Sequence, residues 1–399
     1  MMNKLSIDDI DVLGKRVLVR VDFNVPLDEK VQIADDTRIR ESIPTIERLL
    51  EKGARVILMS HLGRPKGKKN PALSLMPCAR RLSEILNRQV IMADDCVGET
   101  VTRLVSELNN GDIALLENLR FYKEEESNDR GFAEKLATLG DLYVNDAFGT
   151  AHRAHASTEG ITHFFEQNAA GYLMVKEIEY LGKTLAHPAR PFVAIIGGAK
   201  ISGKIDVIEN LLQKVDSVLI GGGMAFTFAK AQGLEIGKSL CEADKVDMAR
   251  SLVEKAQQLG KNLLLPIDCI VSSEFNNEAP SEVVLIDKIP ASSMGLDIGP
   301  KTIEIFRSVV VASKTVVWNG PMGVFEMPNF ATGTKAIAES LVEATGLGAT
   351  TIVGGGDSAA ALDQLGLNHG VTHVSTGGGA SLEFLEGKSL PGLMALTDH

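Results

Sequence analysis

The chain has 399 residues, 44% of them apolar and 23% charged, with a formal net charge of −11. That length allows two domains of ordinary size, each with its own core, in a soluble globular protein. The acidic balance excludes a general attraction to nucleic acid or to an anionic membrane, so any anion site must be a local basic patch.

Cys78, Cys96, Cys241 and Cys269 lie far apart without a C-x-x-C pair. Reduced, mostly buried thiols are expected, not a disulfide framework or a zinc site. Met1 to Asp9 show no signal-peptide apolar region, and no stretch has the ~18 uninterrupted apolar residues of a membrane helix. A cytoplasmic protein, with neither membrane nor nucleic acid as partner, is the default expectation.

In chain order, Arg16 to Val21 reads as a strand that stops at Asp22-Phe23-Asn24-Val25-Pro26. Asp36 or Thr37 then caps a helix to about Lys52, with Ile39, Ile43, Ile46 and Leu50 on one stripe. Arg55 to Met59 is the next strand, ending in Ser60-His61-Leu62-Gly63-Arg64-Pro65. A basic loop and a helix over 73–86 follow, then strands at Val90 to Met92, Ile113 to Leu116 and Leu142 to Asn145. Short apolar strands alternating with helices predict a parallel sheet covered on both faces. Ligands of such sheets bind beyond the C-terminal strand ends. His61, Arg64, Arg120 and Arg153 fall there, and Arg38 opens the helix after the first strand. Each alone could be a surface charge. Together, in an acidic chain, they predict a bound anion, with Asp22 and Asn24 holding a hydroxyl or orienting the guanidinium groups.

Leu173 to Leu185 reads as one helix, and Pro188 and Pro191 mark a break after it. Strand-like runs resume at Phe192 to Ile196, Val218 to Ile220, Leu263 to Leu265, Val316 to Trp318 and Thr351 to Val353. Helices are expected at about 205–214, 243–259, 300–312 and 330–345. The fold class is therefore two Rossmann-like doubly wound α/β domains: 1–172, a connecting helical hinge 173–187, and 188–387. The apolar tail from about 388 to 399 is expected to pack back on the first domain.

Three strand ends of the second half run into glycine triplets: Gly221-Gly222-Gly223, Gly354-Gly355-Gly356 and Gly377-Gly378-Gly379. Glycines let backbone N–H groups approach a ligand, and the helix that follows offers its N-terminus to phosphate. Asp357 and Ser358 then open a helix. The plain alternative is a tight turn with one of them as N-cap. As a ligand, Asp357 is a hard oxygen of the kind Mg²⁺ takes. Gly198-x₄-Gly203-Lys204 approaches a P-loop, but Ile205 stands where Ser or Thr would hold the metal. Neither half opens on G-x-G-x-x-G, no hydrolase triad is visible, and His152 and His155 lack a third metal ligand. What remains is an anion pocket in one domain and a nucleotide–Mg²⁺ site in the other, the division of labour of a phosphoryl-transfer enzyme.

The motifs Arg20-Val21-Asp22-Phe23-Asn24, Ser60-His61-Leu62-Gly63-Arg64-Pro65, Glu117-Asn118-Leu119-Arg120-Phe121, Asn145-Asp146-Ala147-Phe148-Gly149, Gly197-Gly198-Ala199-Lys200, Trp318-Asn319-Gly320-Pro321 and Gly354-Gly355-Gly356-Asp357-Ser358 occur in this order. The chain resembles the phosphoglycerate kinase family over essentially its whole length. The resemblance implies reversible transfer of the acyl phosphate of 1,3-bisphosphoglycerate to ADP, giving 3-phosphoglycerate and ATP. It places Asp22, Phe23, Asn24, Arg38, His61, Leu62, Gly63, Arg64, Arg120 and Arg153 around the phosphoglycerate. It places Lys204, Gly223, Gly295, Leu296, Asn319, Glu326, Gly355, Gly356, Asp357 and Ser358 around ADP or ATP, with Asp357 also holding Mg²⁺. Arg38, Lys200 and Gly378 would neutralise the phosphoryl group in flight. Gly203 departs from the family pattern, where a polar residue often precedes the lysine. A monomer is expected, whose domains close on a hinge. The alternative is a catalytically dead two-domain sensor of the same ligands, against which the presence of both Lys200 and Asp357 counts.

Overall fold

The structure, a computed structural model, describes residues 3–399. Met1 and Met2, the first residues of the expected N-terminal domain, lie outside the described residues, as does the side chain of Lys183. The chain divides into two compact units. One runs up to Glu179 and includes Ser389–His399; the other is Tyr180–Lys388.

In the first unit the strands are β1 (Arg16–Val21), β2 (Arg55–Met59), β3 (Val90–Met92), β4 (Ile113–Leu115), β5 (Leu142–Asp146) and β6 (Asn168–Ala170). They form one six-stranded sheet in the order β3-β4-β2-β1-β5-β6, and every pairing is parallel. The strands are short and almost wholly buried because helices cover both faces. Helix Thr37–Glu51 buries Ile39, Ser42, Thr45, Ile46 and Leu49, whereas Ile43 and Leu50 of the expected stripe are only half-buried. The buried face is rotated because a second helix, Tyr172–Glu177, starts against it, with Tyr172 N–H donating to Thr45 Oγ1 at 2.8 Å. The tail belongs to this unit: Gly392 N–H donates to the Ala151 carbonyl (2.8 Å) and Leu5 N–H to that of Thr397 (2.9 Å).

The segment read as one helix over 173–185 is helical without a break, α over Tyr172–Glu177, π over Ile178–Lys183 and α again over Thr184–Ala186. A π turn adds one residue to the backbone ring and rotates the side chains beyond it. Here Tyr180 stacks on His373 with centroids 4.7 Å apart.

The second unit adds β7 (Phe192–Ile196), β8 (Ser217–Ile220), β9 (Asn262–Leu264), β10 (Asp268–Ser272), β11 (Ser281–Leu285), β12 (Met294–Ile298), β13 (Thr315–Asn319), β14 (Thr350–Gly354) and β15 (His373–Val374). Six of these form a parallel sheet, β15-β14-β13-β7-β8-β9, around a core that includes Trp318 and Phe306. The other three form an antiparallel sheet, β11-β10-β12, over a separate cluster of Phe226, Ile236, Val271 and Ile289. Sequence reading missed this side sheet, because β11 is exposed at most positions and carries no buried alternation.

Asp268, the first residue of β10, is a structural cap. Its buried carboxylate accepts from Lys301 N–H (3.0 Å), Thr302 N–H (2.8 Å) and Thr302 Oγ1 (2.6 Å) at the start of helix Pro300–Val311. Asp268→Ala strands these donors in a dry site. It is expected to lower stability by about 1–3 kcal/mol, read as a lower urea midpoint with nucleotide affinity retained. An unchanged midpoint would contradict the capping role.

Candidate active site

At the C-terminal edge of the first sheet, four strand ends deliver polar groups to one place. After β1, Asp22 accepts from Arg38 Nη1 in a close ion pair. Asn24 Oδ1 accepts from Gly63 N–H at 2.8 Å, tying the loops after β1 and β2 together. Asn118, after β4, accepts from Leu62 N–H (3.2 Å) and Arg120 N–H (3.1 Å) and donates to the Leu62 carbonyl (2.8 Å). Arg120, almost fully buried, donates from Nη1 to the Gly63 carbonyl at 2.9 Å. Its Nε lies 3.5 Å from Glu126. Arg64 and Arg153 are exposed.

Phe23 and Leu62 belong to the frame. Both are buried, Phe23 N–H donates to Ser60 Oγ (2.8 Å), and both Leu62 backbone groups are held by Asn118. A direct ligand contact through either side chain is not what this packing offers.

His61 was expected among the cations, and the structure corrects that. Arg20 Nη2 lies 3.1 Å from His61 Nδ1. A guanidinium only donates, so Nδ1 is the acceptor and the ring proton sits on Nε2. Burial, reinforced by Arg20, Arg120 and Arg38, pushes the imidazole well below its ordinary range. The 3.9 Å approach of His61 Nδ1 to Asp22 is therefore not an ion pair. His61 is a neutral N–H donor. The charge of the pocket comes from arginines, and Arg120 in turn is lowered by burial and then by Arg20 and Arg153, with Glu126 opposing. Guanidinium groups crowded in this way are relieved by an anion.

In the second unit, β7, β8 and β13 end side by side. Gly197 N–H donates to the Asn319 carbonyl (2.9 Å), Gly198 N–H to that of Pro321 (2.9 Å), and Gly222 N–H to that of Met322 (2.9 Å). Gly222 has φ +68°, and a Cβ there would strike the backbone of Gly198 and Pro321. No other residue fits where these strand ends meet. Beside them is a cavity of about 690 Å³ lined by Gly198, Gly222, Gly223, Gly295, Leu296, Glu326 and Asp357 among others. Its walls are largely apolar, with Leu240, Phe275, Met294, Pro321, Val324 and Met327, and Lys238 adds a charge. Gly295 lies against the Phe226 ring, where a Cβ would overlap the aromatic carbons. A largely apolar cavity with few polar groups is the kind of site that takes an aromatic ring.

Lys204, Asn319, Gly355 and Ser358 are not in the cavity wall but brace it. Lys204 Nζ donates to Asn319 Oδ1 in a close contact, and Asn319 Nδ2 donates to the Gly354 carbonyl at 3.0 Å. Gly355 (φ +92°) packs on the Asn319 amide. Ser358 Oγ, fully buried, accepts from Gly320 N–H at 2.7 Å. The buried side chains of Asn319 and Ser358 are thus committed to the turn. Gly356 starts the helix Gly356–Gln364, whose first turn carries the exposed Asp357. Lys200 is exposed in the loop after β7, and Gly378 (φ +51°) precedes the helix Gly379–Leu385.

Sequence reading missed Arg20, Asn118, Ser157 and Glu125 in the first unit, and the apolar cavity wall in the second. The one available signal was Arg20, a charge inside an apolar strand. Phe275 and Met294 come from the side sheet and its hairpin, which local pattern did not reveal.

Arginines gathered at one edge of one doubly wound unit, and a largely apolar cavity with the exposed carboxylates Glu326 and Asp357 on another, are the parts of a two-domain small-molecule kinase. The family profile described as "Phosphoglycerate kinase" matches residues 7–388. The phosphoglycerate kinase of Chlorobium phaeobacteroides (strain BS1) is 61% identical over 397 residues, covering 100% of both chains. That of Chlorobaculum tepidum is 60% identical with the same coverage. Two solved structures are also similar: phosphoglycerate kinase from Coxiella burnetii (43% identity, TM-score 0.89) and from Pyrococcus horikoshii OT3 (33%, 0.86), each covering 98% of both chains. The chain belongs to the phosphoglycerate kinase family. Its activity is the reversible transfer of the acyl phosphate of 1,3-bisphosphoglycerate to ADP, a phosphotransfer with a carboxyl group as acceptor in the reverse direction.

Burial lowers Lys204 to about 8, with Asp357 and Glu386 opposing. The ammonium is therefore charged below that pH and neutral above it. ADP affinity measured by calorimetry is expected to weaken as pH rises through about 8, and Lys204→Met should remove that component. A wild-type affinity flat from pH 7 to 9 would rule out a role for its charge.

Proposed function

We propose that the arginine pocket of the first unit binds 3-phosphoglycerate and 1,3-bisphosphoglycerate, and that the glycine-lined cavity of the second binds ADP and ATP. The observation that carries this is the crowding of Arg20, Arg38 and Arg120 around a neutral His61, which a phosphorylated carboxylic acid would relieve. Arg64 and Arg153, exposed at the same edge, take the outer phosphate, while Asn24, Gly63 and Asp22 position the loops and a substrate hydroxyl.

Asp357 is suited to Mg²⁺. Among the described residues no three His, Cys, Asp or Glu side chains gather as a metal cage. A hard cation held by one carboxylate takes its other oxygens from nucleotide phosphates and water, as Mg²⁺ does. When bound there it would supply charge to the phosphate oxygens. The chain's own groups do the rest. Lys204, Gly223, Gly355, Gly356 and the backbone of Ser358 surround the polyphosphate; Gly295, Leu296, Asn319 and Glu326 form or brace the walls for the base and ribose. The nucleophile in the reverse reaction is a carboxylate, ionised at pH 7, so no general base is needed. Catalysis then rests on neutralising the moving phosphoryl group, by Arg38, Lys200 and the backbone at Gly378. The working unit is a monomer, acting on small molecules in the cytoplasm.

Direct in-line transfer needs the reacting atoms ~3–3.5 Å apart. The two ligands bind different units, so we propose that turnover requires closure about the helical segment that follows Gly171. Closure also keeps water from the acyl phosphate. Small-angle scattering should show the radius of gyration falling most with 3-phosphoglycerate and an Mg-bound, non-hydrolysable ATP analogue together. An unchanged radius in active enzyme would refute closure.

Coupled turnover of 3-phosphoglycerate with Mg·ATP tests the assignment directly. Asp357→Ala, at an exposed position, should abolish metal-supported turnover without unfolding the chain. Retained turnover and Mg·ADP affinity would show that the metal is held elsewhere.

A further inference from the structure

Behind the arginine pocket runs a buried hydrogen-bonded chain that none of the motifs accounts for. Glu125 and Arg20 are both fully buried, on separate elements. Ser157 stands between them. Its N–H donates to Glu125 Oε2 at 3.0 Å, and its Oγ lies 2.6 Å from Glu125 Oε1. Arg20 Nε donates to the same Oγ at 2.8 Å. On its other side Arg20 donates from Nη1 to the Val21 carbonyl and from Nη2 to His61 Nδ1, the latter at 3.1 Å.

The guanidinium sets the direction of the chain, because it only donates. Ser157 Oγ must accept from Arg20 Nε and turns its own proton to Glu125 Oε1, a carboxyl that burial pushes above its ordinary range. Arg20 is then held by three acceptors, so its Nη2–H is aimed at His61 Nδ1. His61 in turn is left with its proton on Nε2. His155 Nδ1, 4.0 Å from Glu125 Oε1, is too far to compete for that oxygen.

We propose that Glu125, Ser157 and Arg20 are positioning residues that lock His61 as the neutral Nε2–H tautomer, so that it meets the phosphoglycerate as a hydrogen-bond donor and not as an acceptor or a cation. The proposal rests on the reading of this pocket as the phosphoglycerate site. It separates two jobs that look alike in sequence. Arg38, Arg64, Arg120 and Arg153 supply charge, whereas Arg20 spends its hydrogen bonds on orienting a neutral ring. A neutral donor suits the uncharged part of the ligand, such as its hydroxyl. A protonated ring would add one more charge to a pocket already crowded with guanidinium groups. Ser157→Ala leaves Arg20 Nε without its acceptor and frees the guanidinium to turn, so the tautomer is no longer dictated.

The test uses the whole chain with ring-¹⁵N histidine, the eight histidines being sorted by the loss of one signal in His61→Ala. Wild type should show His61 neutral with the proton on Nε2 at pH 7. Ser157→Ala should show mixed tautomers, a KM for 3-phosphoglycerate raised about tenfold, and an unchanged KM for Mg·ATP. A wild-type ring protonated at pH 7, or carrying its proton on Nδ1, would overturn the proposal, and that measurement needs no variant to fold. So would Ser157→Ala with an unaltered tautomer, whatever its KM. If His61→Ala itself leaves the KM for 3-phosphoglycerate unchanged, the reading of the pocket fails. The wild-type tautomer then still decides whether the chain of bonds does what its geometry dictates.

Discussion

The cost of burying a guanidinium governs the first unit. Arg20 lies inside the sheet, where an uncompensated charge would be far more expensive than any packing could return. It is tolerated because acceptors surround it and a buried carboxylate, Glu125, stands one hydroxyl away. Those acceptors come from the end of β1, from the segment 153–158, and from the loop after β2. Satisfying one buried charge therefore brings together loops far apart in sequence, and those same loops carry Asp22, His61 and Arg153. One network both satisfies the buried charge and fixes the position of His61.

The second unit solves a different problem with a different device. Three parallel strands must end close enough together for backbone to bond backbone across them. Gly197, Gly222 and Gly320 allow it because a Cβ at any of them would strike the neighbouring backbone. The polar layer beneath the glycines, Lys204, Asn319 and Ser358, uses its hydrogen bonds internally and leaves the cavity with an apolar wall and a few charges at its rim. A slot of that kind offers area to an apolar or aromatic ligand, with specificity left to the few polar groups at its rim, Asp357 among them.

Much was legible in the sequence. Strand β7 and the strands Arg16–Val21 and Arg55–Met59 fall where apolar runs end in polar or glycine-rich turns, since a parallel strand buried on both faces announces itself as a short apolar run. The glycine triplets each precede a helix, at Met224, Gly356 and Gly379. The gathering of polar groups at the strand ends was legible because βαβ topology puts all such ends on one edge. The full buried face of 37–51 and the π stretch inside the helix over 173–185 were not, because the first depends on a neighbour distant in sequence, Tyr172, and the second leaves no mark in the apolar pattern.

The sequence by itself determined the inventory: which residues carry charge, where glycine must stand, and in what order the strands arise. Only the tertiary structure decided their state. His61 stands among cations in the sequence and is a neutral donor in the fold, because a guanidinium at 3.1 Å takes its Nδ1 lone pair and burial removes the charge. Asp268 is one acidic residue among many in the sequence and a helix cap in the fold, because β10 places it beside Thr302. Protonation, tautomer and exposure are properties of surroundings, and surroundings exist only once residues distant in the chain have been packed together.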